Sequence, residues 1–335
     1  MFPRKSRNWL LSGATIAVAV TLLAACGAGP GTTPGGAANG SGDSDQLVFA
    51  AIPVQGTDQL KASFAPIVSL LEKKLDRDIA FKPVTSNAAV IEGQVAQRVD
   101  IAVYGALSYY LARSRADIEP VAAPIDSPGN DPGATGYGIV RADERGISSL
   151  KDVVGKNICF TDPTSTTGHL APLAALLKAG INPSEKASVT FTGGHDTSVS
   201  ALLAGDCDIA FVGEVFVDRL LPKRGVLEPG QVRKVWTTQT LPAPPVAVGT
   251  WLPEQVRIQI QQALTARNAA EMAKAGFCAK GKIKGPAYWG DKQGVTACPL
   301  GASHAWKFAS VSDSDYQPIA RICEITNAKV CTTGE

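Results

Sequence analysis

The sequence Thr161-Asp162-Pro163-Thr164-Ser165-Thr166-Thr167-Gly168 joins two apolar runs in the middle of this chain. The run Ile158-Cys159-Phe160 before it is typical of a buried strand, and Leu170 to Lys178 after it has helical periodicity. The start of a helix carries N–H groups without partners and a partial positive charge, and consecutive hydroxyl residues add rotatable donors. The turn is therefore predicted to bind a compact oxyanion without a lysine. The alternative is that Ser165 or Thr166 only caps the helix.

Strands and helices alternate along the rest of the chain. The predicted strands are Leu47–Ile52, Ile79–Val84, Asp100–Tyr104, Gly136–Val140, Val189–Phe191, Asp208–Val212 and Val232–Trp236. The predicted helices are Gln59–Leu75, Ala88–Val99, Leu107–Ala112, Val199–Ala204, Val215–Leu221, Pro253–Ala275 and Tyr316–Thr326. This alternation predicts an α/β fold with open parallel sheets covered on both faces. Ligands of such folds bind beyond the carboxyl ends of the strands.

Two turn-rich segments divide the chain into lobes. The cluster Ser127–Gly133 and the prolines Pro242, Pro244 and Pro245 are interpreted as two crossings. Lobe 1 is then 46–135 with 246–335, and lobe 2 is 136–245. The 335 residues, of which 45% are hydrophobic, suffice for a core in each lobe. Two lobes joined by two crossings predict a hinged cleft.

The N-terminus indicates export from the cytoplasm. Arg4, Lys5 and Arg7 precede an apolar run that is short for a membrane span, so 1–25 is predicted to be a signal peptide. Leu23-Ala24-Ala25-Cys26 resembles the lipobox of bacterial lipoproteins, which implies an acylated Cys26 and attachment to the membrane surface. An ordinary signal peptide that leaves Cys26 as a free thiol is the alternative. The Gly-, Pro- and Ser-rich segment 26–45 is predicted to be a flexible tether.

Six cysteines follow Cys26, an even number that favours disulfides outside the cytoplasm. Six cysteines allow 15 disulfide connectivities, and the connectivity favoured here consists of the following three bonds. A Cys159–Cys207 bond would join predicted neighbouring strands, a Cys278–Cys298 bond would brace the Lys- and Gly-rich segment between them, and a Cys323–Cys331 bond would pin the C-terminal tail. A zinc site is rejected because the chain has no Cys-x-x-Cys pair and because its histidines are dispersed. No basic stripe occurs, so a nucleic-acid partner is not expected.

The hydroxyl turn also carries a family resemblance. Asp162–Gly168 is similar to the Asp-Pro-x-Ser-Thr-Ser-Gly motif of phosphate-, phosphite- and phosphonate-binding proteins of ABC importers. Supporting matches occur in the family's order at Ile91-Glu92-Gly93, Asp100–Gly105, Gly194-His195-Asp196 and Asp206–Ala210. The resemblance implies a type II periplasmic-binding-protein fold that closes over a phosphorus oxyanion, without a cofactor or catalysis. Its implied partners are an ABC permease and an ATPase, and its implied place is the extracytoplasmic face of the cell membrane.

The resemblance also implies which residues bind the ligand. By position, Ser165, Thr166 and Thr167 would hold the oxygens. Tyr104 would donate its hydroxyl, and His195 would donate from the far side of the site in the second lobe. The alternatives are that Tyr104 is a core residue at a strand end and that His195 is a polar residue before a helix capped by Asp196. Glu214 is the candidate acceptor for a P–OH proton, with a solvated glutamate at a helix start as the alternative.

The expected ligand is small. The family's aminoalkylphosphonate binders have a tyrosine shortly before the segment matched by Ile91–Gly93 and an aspartate in the loop matched by Leu241–Pro245, and this chain has neither. An ammonium group buried without a counter-charge is costly, so phosphate or phosphite is expected. Two other functions are considered, a binding protein for a sulfonate, nitrate or heterocycle and a hydrolase that uses Ser165 with His195. The hydrolase lacks a Gly-x-Ser-x-Gly elbow.

Overall fold

The structure, a computed structural model, describes residues 46–52, 57–278 and 281–333. The predicted signal peptide, Cys26 and the tether lie outside the described residues. Within the described part, no helix is both long enough and apolar enough to cross a membrane.

The described part of the chain contains thirteen strands and eleven α-helices, besides short 3₁₀- and π-helical turns. The strands are β1 Gln46–Ala51, β2 Asp78–Pro83, β3 Ile101–Val103, β4 Ile118–Ile125, β5 Gly136–Arg141, β6 Asn157–Phe160, β7 Ser188–Phe191, β8 Ile209–Gly213, β9 Val232–Thr237, β10 Val246–Gly249, β11 Ile283–Lys284, β12 Thr296–Ala297 and β13 Lys307–Ala309. The helices are α1 Thr57–Leu75, α2 Asn87–Val95, α3 Ala106–Arg113, α4 Ala171–Lys178, α5 Pro183–Lys186, α6 His195–Ala204, α7 Leu221–Lys223, α8 Glu254–Ala266, α9 Ala269–Lys274, α10 Gln317–Thr326 and α11 Val330–Thr333. Two π-helical turns, Thr166–Leu170 and Phe216–Leu220, precede α4 and α7.

Each lobe is built on one mixed sheet. The first sheet has the order β13-β4-β10-β3-β1-β2, and the second has the order β7-β6-β8-β5-β9. The expectation of parallel sheets is confirmed for β1, β2 and β3 and for β6, β7 and β8, but it is wrong for β5 and β10, which run antiparallel to both neighbours. It is also wrong for the edge strand β13. Both β5 and β10 enter their sheet from the other lobe, without the crossover helix that a parallel neighbour requires.

Apolar side chains cover both faces of each sheet. In β1 the successive residues Phe49 and Ala50 belong to different core clusters, and in β6 the same is true of Ile158 and Cys159. This follows from the alternation of side chains along a strand. Strands buried on both faces read as continuous apolar runs, which is why most of them could be predicted.

Two segments, 126–135 and 238–245, connect the sheets and pair with each other. The Ala134 N–H donates to the Leu241 carbonyl and the Leu241 N–H donates to the Ala134 carbonyl, each over 2.9 Å. The crossings therefore form a short two-stranded connection, as expected for a hinge between lobes.

The three predicted disulfides are confirmed. Cys159 in β6 bonds to Cys207 just before β8, Cys278 bonds to Cys298, and Cys323 in α10 bonds to Cys331 in α11. A cross-link restricts the unfolded chain, so each bond stabilises the fold around it.

Candidate functional site

The hydroxyl turn lies where β6 ends and the helical segment begins. Ser165 is the N-cap of the π-helical turn, and its Oγ accepts a 3.1 Å hydrogen bond from the Gly168 N–H. Ser165 thus caps the helical segment, whether or not it also binds a ligand. Capping does not account for Thr166 and Thr167, which form the first residues of the turn. π-Helical turns are rare in proteins, and those that occur are frequently at functional sites.

Gly168 allows the turn to fold back on the strand. Its carbonyl accepts from the Thr161 N–H at 3.2 Å. A Cβ at position 168 would lie 2.9 Å from Thr161 Cβ and closer still to Thr161 Oγ1. Contacts this short do not occur between real side chains, so glycine is required for the observed path of the turn.

A pair of glycines under Thr167 brings the turn close to the second sheet. Gly136 in β5 and Gly213 in β8 are partners in the sheet register. A Cβ on Gly136 would lie 2.9 Å from the Thr167 carbonyl oxygen, and one on Gly213 would lie 3.3 Å from Thr167 Oγ1. Larger residues at these positions would displace the turn from the sheet.

Thr166 contacts the first lobe directly. Its Oγ1 accepts a 2.8 Å hydrogen bond from the Leu107 N–H in the first turn of α3. The N–H groups at the start of a helix have no partner within the helix, so they attract acceptors. The starts of two helical segments, one from each lobe, therefore face each other across a single hydroxyl group. The Leu107 N–H was not among the predicted site groups, because a backbone donor leaves no side-chain signal in the sequence.

Asn87 makes a second contact between the lobes. Its Nδ2 donates to Thr164 Oγ1 at 2.9 Å and lies 3.5 Å from Asp162 Oδ1. Asp162 in turn accepts from the Thr164 N–H and hydroxyl. Asn87 is the first residue of α2, where Ser86 is the N-cap. Asn87 was not among the predicted site residues, although the Ser-Asn pair at a predicted helix start is a signal in the sequence.

His195 is the first residue of α6, with Gly194 as N-cap, so α6 begins before the predicted start at Val199. Its Nδ1 accepts from the Gly213 N–H at 3.0 Å, and its ring stacks on Phe216 with centroids 4.1 Å apart. Burial lowers the pKa of His195 to about 3. The ring is therefore neutral at pH 7, and because Nδ1 is an acceptor, Nε2 carries the proton and is a donor.

Tyr104 does not have the predicted role of ligand donor in this structure. Its side chain is fully buried, and its hydroxyl donates to Gln94 Oε1 at 2.8 Å. Burial raises the pKa of the Tyr104 hydroxyl above its ordinary value. A hydroxyl has one proton, and here it is directed at Gln94. The physical reason is that Tyr104 packs into the core cluster of α2 and α3, as the core interpretation had it.

Glu214 directly follows β8 and forms an ion pair that was not predicted. Its Oε1 lies 3.3 Å from Arg219 Nη2, and its side chain is 29% exposed. Its N–H donates to the Thr135 carbonyl at 2.8 Å, which ties it to the first crossing segment. Glu214 is thus neither a free acceptor nor a fully solvated glutamate.

Ser165 and His195, the pair considered for a hydrolase, make separate contacts. Within residues 46–52, 57–278 and 281–333, Ser165 Oγ and His195 Nδ1 each accept from a backbone N–H, and no hydrogen bond joins the two side chains. The same part of the chain contains no group of three or more His, Cys, Asp or Glu residues that could hold a metal ion.

A groove of about 1020 Å³ lies away from the hydroxyl turn. It runs along α1 and is bordered by Lys73, by Lys223 and Arg224 of the second lobe, and by Phe277 and His304. None of the predicted ligand-binding residues lines it. The predicted anion site is instead a direct contact between two helix starts.

Comparison with known proteins gives a consistent family match. Residues 49–284 match the model of a family described as ABC transporter, phosphonate, periplasmic substrate-binding protein. The phosphate-import protein PhnD of Mycolicibacterium smegmatis is 33% identical over 327 residues, which cover 95% of this chain and 97% of that protein. The phosphonates-binding periplasmic protein of Escherichia coli is 29% identical over 60% of both chains.

A solved structure has the same fold. PhnD1 of Prochlorococcus marinus, crystallised in complex with methylphosphonate, superposes with a TM-score of 0.68 at 20% identity, over 85% of this chain and 99% of that chain. This likeness supports the two-lobed type II fold that the motifs implied.

Gly168→Ala tests whether the turn needs the close approach to Thr161. We expect the variant to lose about 1–3 kcal/mol of unfolding free energy, because the added Cβ overpacks a buried contact. Urea denaturation of the purified protein measures this change. Gly146→Ala is the matched control, since its Cβ would meet only the flexible ends of the Glu144 and Lys156 side chains, at 3.0 and 3.7 Å. Equal stability of both variants would contradict the geometry.

Proposed function

We propose that this chain, which belongs to the family of periplasmic substrate-binding proteins of phosphonate ABC transporters, binds inorganic phosphate or a related phosphorus oxyanion. The related oxyanions are phosphite and phosphonates. The proposed site lies between the hydroxyl turn and α3. The observation that carries this proposal is the hydrogen bond from the Leu107 N–H to Thr166 Oγ1. It brings the donor-rich starts of two helical segments to one point, and such starts favour anions.

The proposed ligand contacts are made by hydroxyl and imidazole protons that donate to no protein group in the described part of the chain. Ser165 Oγ and Thr166 Oγ1 both accept from backbone N–H groups, so the hydroxyl proton of each remains for an oxyanion. Thr167 and the Nε2–H of His195 complete the proposed donor set. All these donors are neutral, which suits a site that must release its ligand to a permease. In this proposal a ligand oxygen takes the place of Thr166 Oγ1 as acceptor for the Leu107 N–H.

Two further residues receive supporting roles. Phosphate near neutral pH carries a P–OH proton, and the second carboxylate oxygen of Glu214 is its proposed acceptor, since Oε1 faces Arg219. Tyr104 is proposed as a positioning residue, because its bond to Gln94 links the end of β3 to α2. Both assignments rest on proximity to the turn.

Ligand binding is proposed to hold the lobes together. We take the lobe boundaries as 46–135 with 246–335 and 136–245, which is supported by the membership of the two sheets. A ligand that contacts Leu107 in one lobe and Thr166 in the other stabilises the closed arrangement over the open one. The closed protein would then deliver its ligand to an ABC permease driven by a cytoplasmic ATPase.

The protein is proposed to bind its ligand without changing it. The absence of a Ser165–His195 hydrogen bond in the described residues supports binding over hydrolysis. Inorganic phosphate is favoured by the similarity to the mycobacterial phosphate-import protein. A sulfonate or nitrate binder of the same fold is the second candidate, and sulfate and nitrate titrations would reveal it.

Thr166→Ala and His195→Ala should each weaken phosphate binding at least tenfold. Each removes one donor to a charged ligand, and such a hydrogen bond contributes about 1.5–3 kcal/mol. Titration calorimetry with phosphate, phosphite, methylphosphonate and sulfate measures the effect, and ³¹P NMR of the recovered ligand checks that it is unchanged.

The controls are Thr166→Ser, which keeps the hydroxyl, and Thr265→Ala, whose hydroxyl bonds only within α8 to the Gln261 carbonyl. We expect both to bind within threefold of the unmodified protein. Unchanged affinity in Thr166→Ala, or a ³¹P spectrum that shows conversion, would refute the proposed site or its binding role.

We also propose that Cys26 is acylated and anchors the protein to the extracytoplasmic face of the cell membrane. The support is the sequence Leu23-Ala24-Ala25-Cys26 at the end of an apolar run.

Cys26→Ala tests the anchor. We expect the full-length protein to sediment with membranes of the expressing bacterium and the variant to leave that fraction, because it lacks the acylated thiol. Immunoblots of the separated fractions measure this. Equal membrane association of the two proteins would count against acylation.

A further inference from the structure

One guanidinium group is shared by two carboxylates beside the proposed site. Arg219 lies on the π-helical turn Phe216–Leu220, and its side chain is only 14% exposed. Its Nη2 lies 3.3 Å from Glu214 Oε1, and its Nη1 lies 2.8 Å from Asp126 Oδ2. Burial raises the pKa of Asp126, and the charge of Arg219 opposes this shift.

The first lobe holds Arg219 in a fixed orientation. Its Cζ lies 4.0 Å from the ring centroid of Tyr288, a cation–π contact. The Tyr288 hydroxyl donates to the Ser303 carbonyl at 3.0 Å, and the Ser303 hydroxyl donates to Asp126 Oδ1 at 3.1 Å. Arg219 is therefore enclosed by partners on several sides, and its charge cannot swing away from Glu214 without breaking these contacts.

Glu214 is the acidic residue that adjoins the ligand-binding end of β8. It follows Gly213, whose N–H donates to His195 Nδ1 and whose Cβ position lies 3.3 Å from Thr167 Oγ1. A carboxylate without a partner at this place would repel a phosphorus dianion and attract a positively charged substituent. The positive charge of Arg219 weakens both the repulsion of a dianion and the attraction of a cation.

We propose that Arg219 is a specificity-determining residue, which acts through Glu214 and restricts the site to phosphorus oxyanions with an uncharged substituent. The inference rests on the proposed function and deepens it. Because Arg219 pairs with Glu214 and offsets part of its negative charge, Glu214 serves as a hydrogen-bond acceptor for a P–OH group and is a poor counter-ion for a cation. A ligand that carries an ammonium group would have to compete with the Arg219 guanidinium for the Glu214 carboxylate, which lowers its affinity. Selectivity is the difference between the binding free energies of two ligands, so the ligand with an uncharged substituent is preferred.

The test compares two ligands that differ by one ammonium group, methylphosphonate and aminomethylphosphonate. Titration calorimetry on the unmodified protein should give at least thirtyfold tighter binding of methylphosphonate. Arg219→Met should reduce this ratio at least tenfold, because Glu214 becomes available to the ammonium group. Arg219→Met combined with Glu214→Gln should restore the ratio, since it removes both charges, and Arg219→Lys should keep it within threefold.

A second variant keeps the test decisive if Arg219→Met does not fold, as judged by circular dichroism and thermal unfolding. Glu214→Gln leaves Arg219 in place with less negative charge around it. It should raise the preference for methylphosphonate over aminomethylphosphonate at least threefold, because the positive charge of Arg219 is then less opposed and repels the ammonium group. Affinities for both ligands within twofold of the unmodified protein would overturn the inference.

The outcomes separate this inference from the function on which it rests. If the unmodified protein binds methylphosphonate and aminomethylphosphonate equally, or if folded Arg219→Met keeps the original ratio, Arg219 does not determine specificity and the proposed function still stands. If the unmodified protein binds neither phosphate nor any phosphonate, both proposals fail.

Discussion

The contact between the two lobes depends on which acceptor satisfies the N–H groups at the start of α3. Leu107 belongs to one lobe, and the acceptor that it finds, Thr166 Oγ1, belongs to the other. An unpaired N–H at a helix start needs an acceptor, and burial makes that need stronger. A small oxyanion satisfies it better than a neutral hydroxyl, because charge-assisted hydrogen bonds are the stronger ones. The same contact therefore accounts for how the lobes meet and for which ligands would join them.

Several features of the second lobe serve to place Thr166 at that point. Gly168 lets the turn pack on Thr161, and the Gly136–Gly213 pair lets Thr167 approach the sheet. The Cys159–Cys207 bond ties β6, which leads into the turn, to the segment before β8. These are constraints on the backbone, and they precede any choice of ligand.

Much of the fold could be predicted from the sequence because its strands are apolar on both faces and its helices are periodic. The antiparallel direction of β5 and β10 could not, since direction depends on the crossing through which a strand enters and not on its residues. β4 and β10 were not among the predicted strands. β4 contains Pro120 and Pro124, which weaken the strand signal, and β10 is short and follows three prolines.

The candidate site was only partly predictable for the same kind of reason. The hydroxyl turn and His195 have distinctive residue types, and the structure brings Thr167 and His195 together around Gly213. The Leu107 N–H is a backbone group, and the Arg219–Asp126 pair joins residues far apart in the chain. Tyr104 was assigned by motif position, but its side chain packs inward against Gln94, which a motif does not reveal.

A crystal structure of the protein grown with methylphosphonate would show directly whether the ligand binds between Leu107 and Thr166. Oxygen atoms of the ligand should lie within about 3.2 Å of the Leu107 nitrogen and of Thr166 Oγ1, the range of normal hydrogen bonds. A well-ordered methylphosphonate bound elsewhere, for instance in the groove along α1, with the bond between Leu107 and Thr166 intact, would contradict the account.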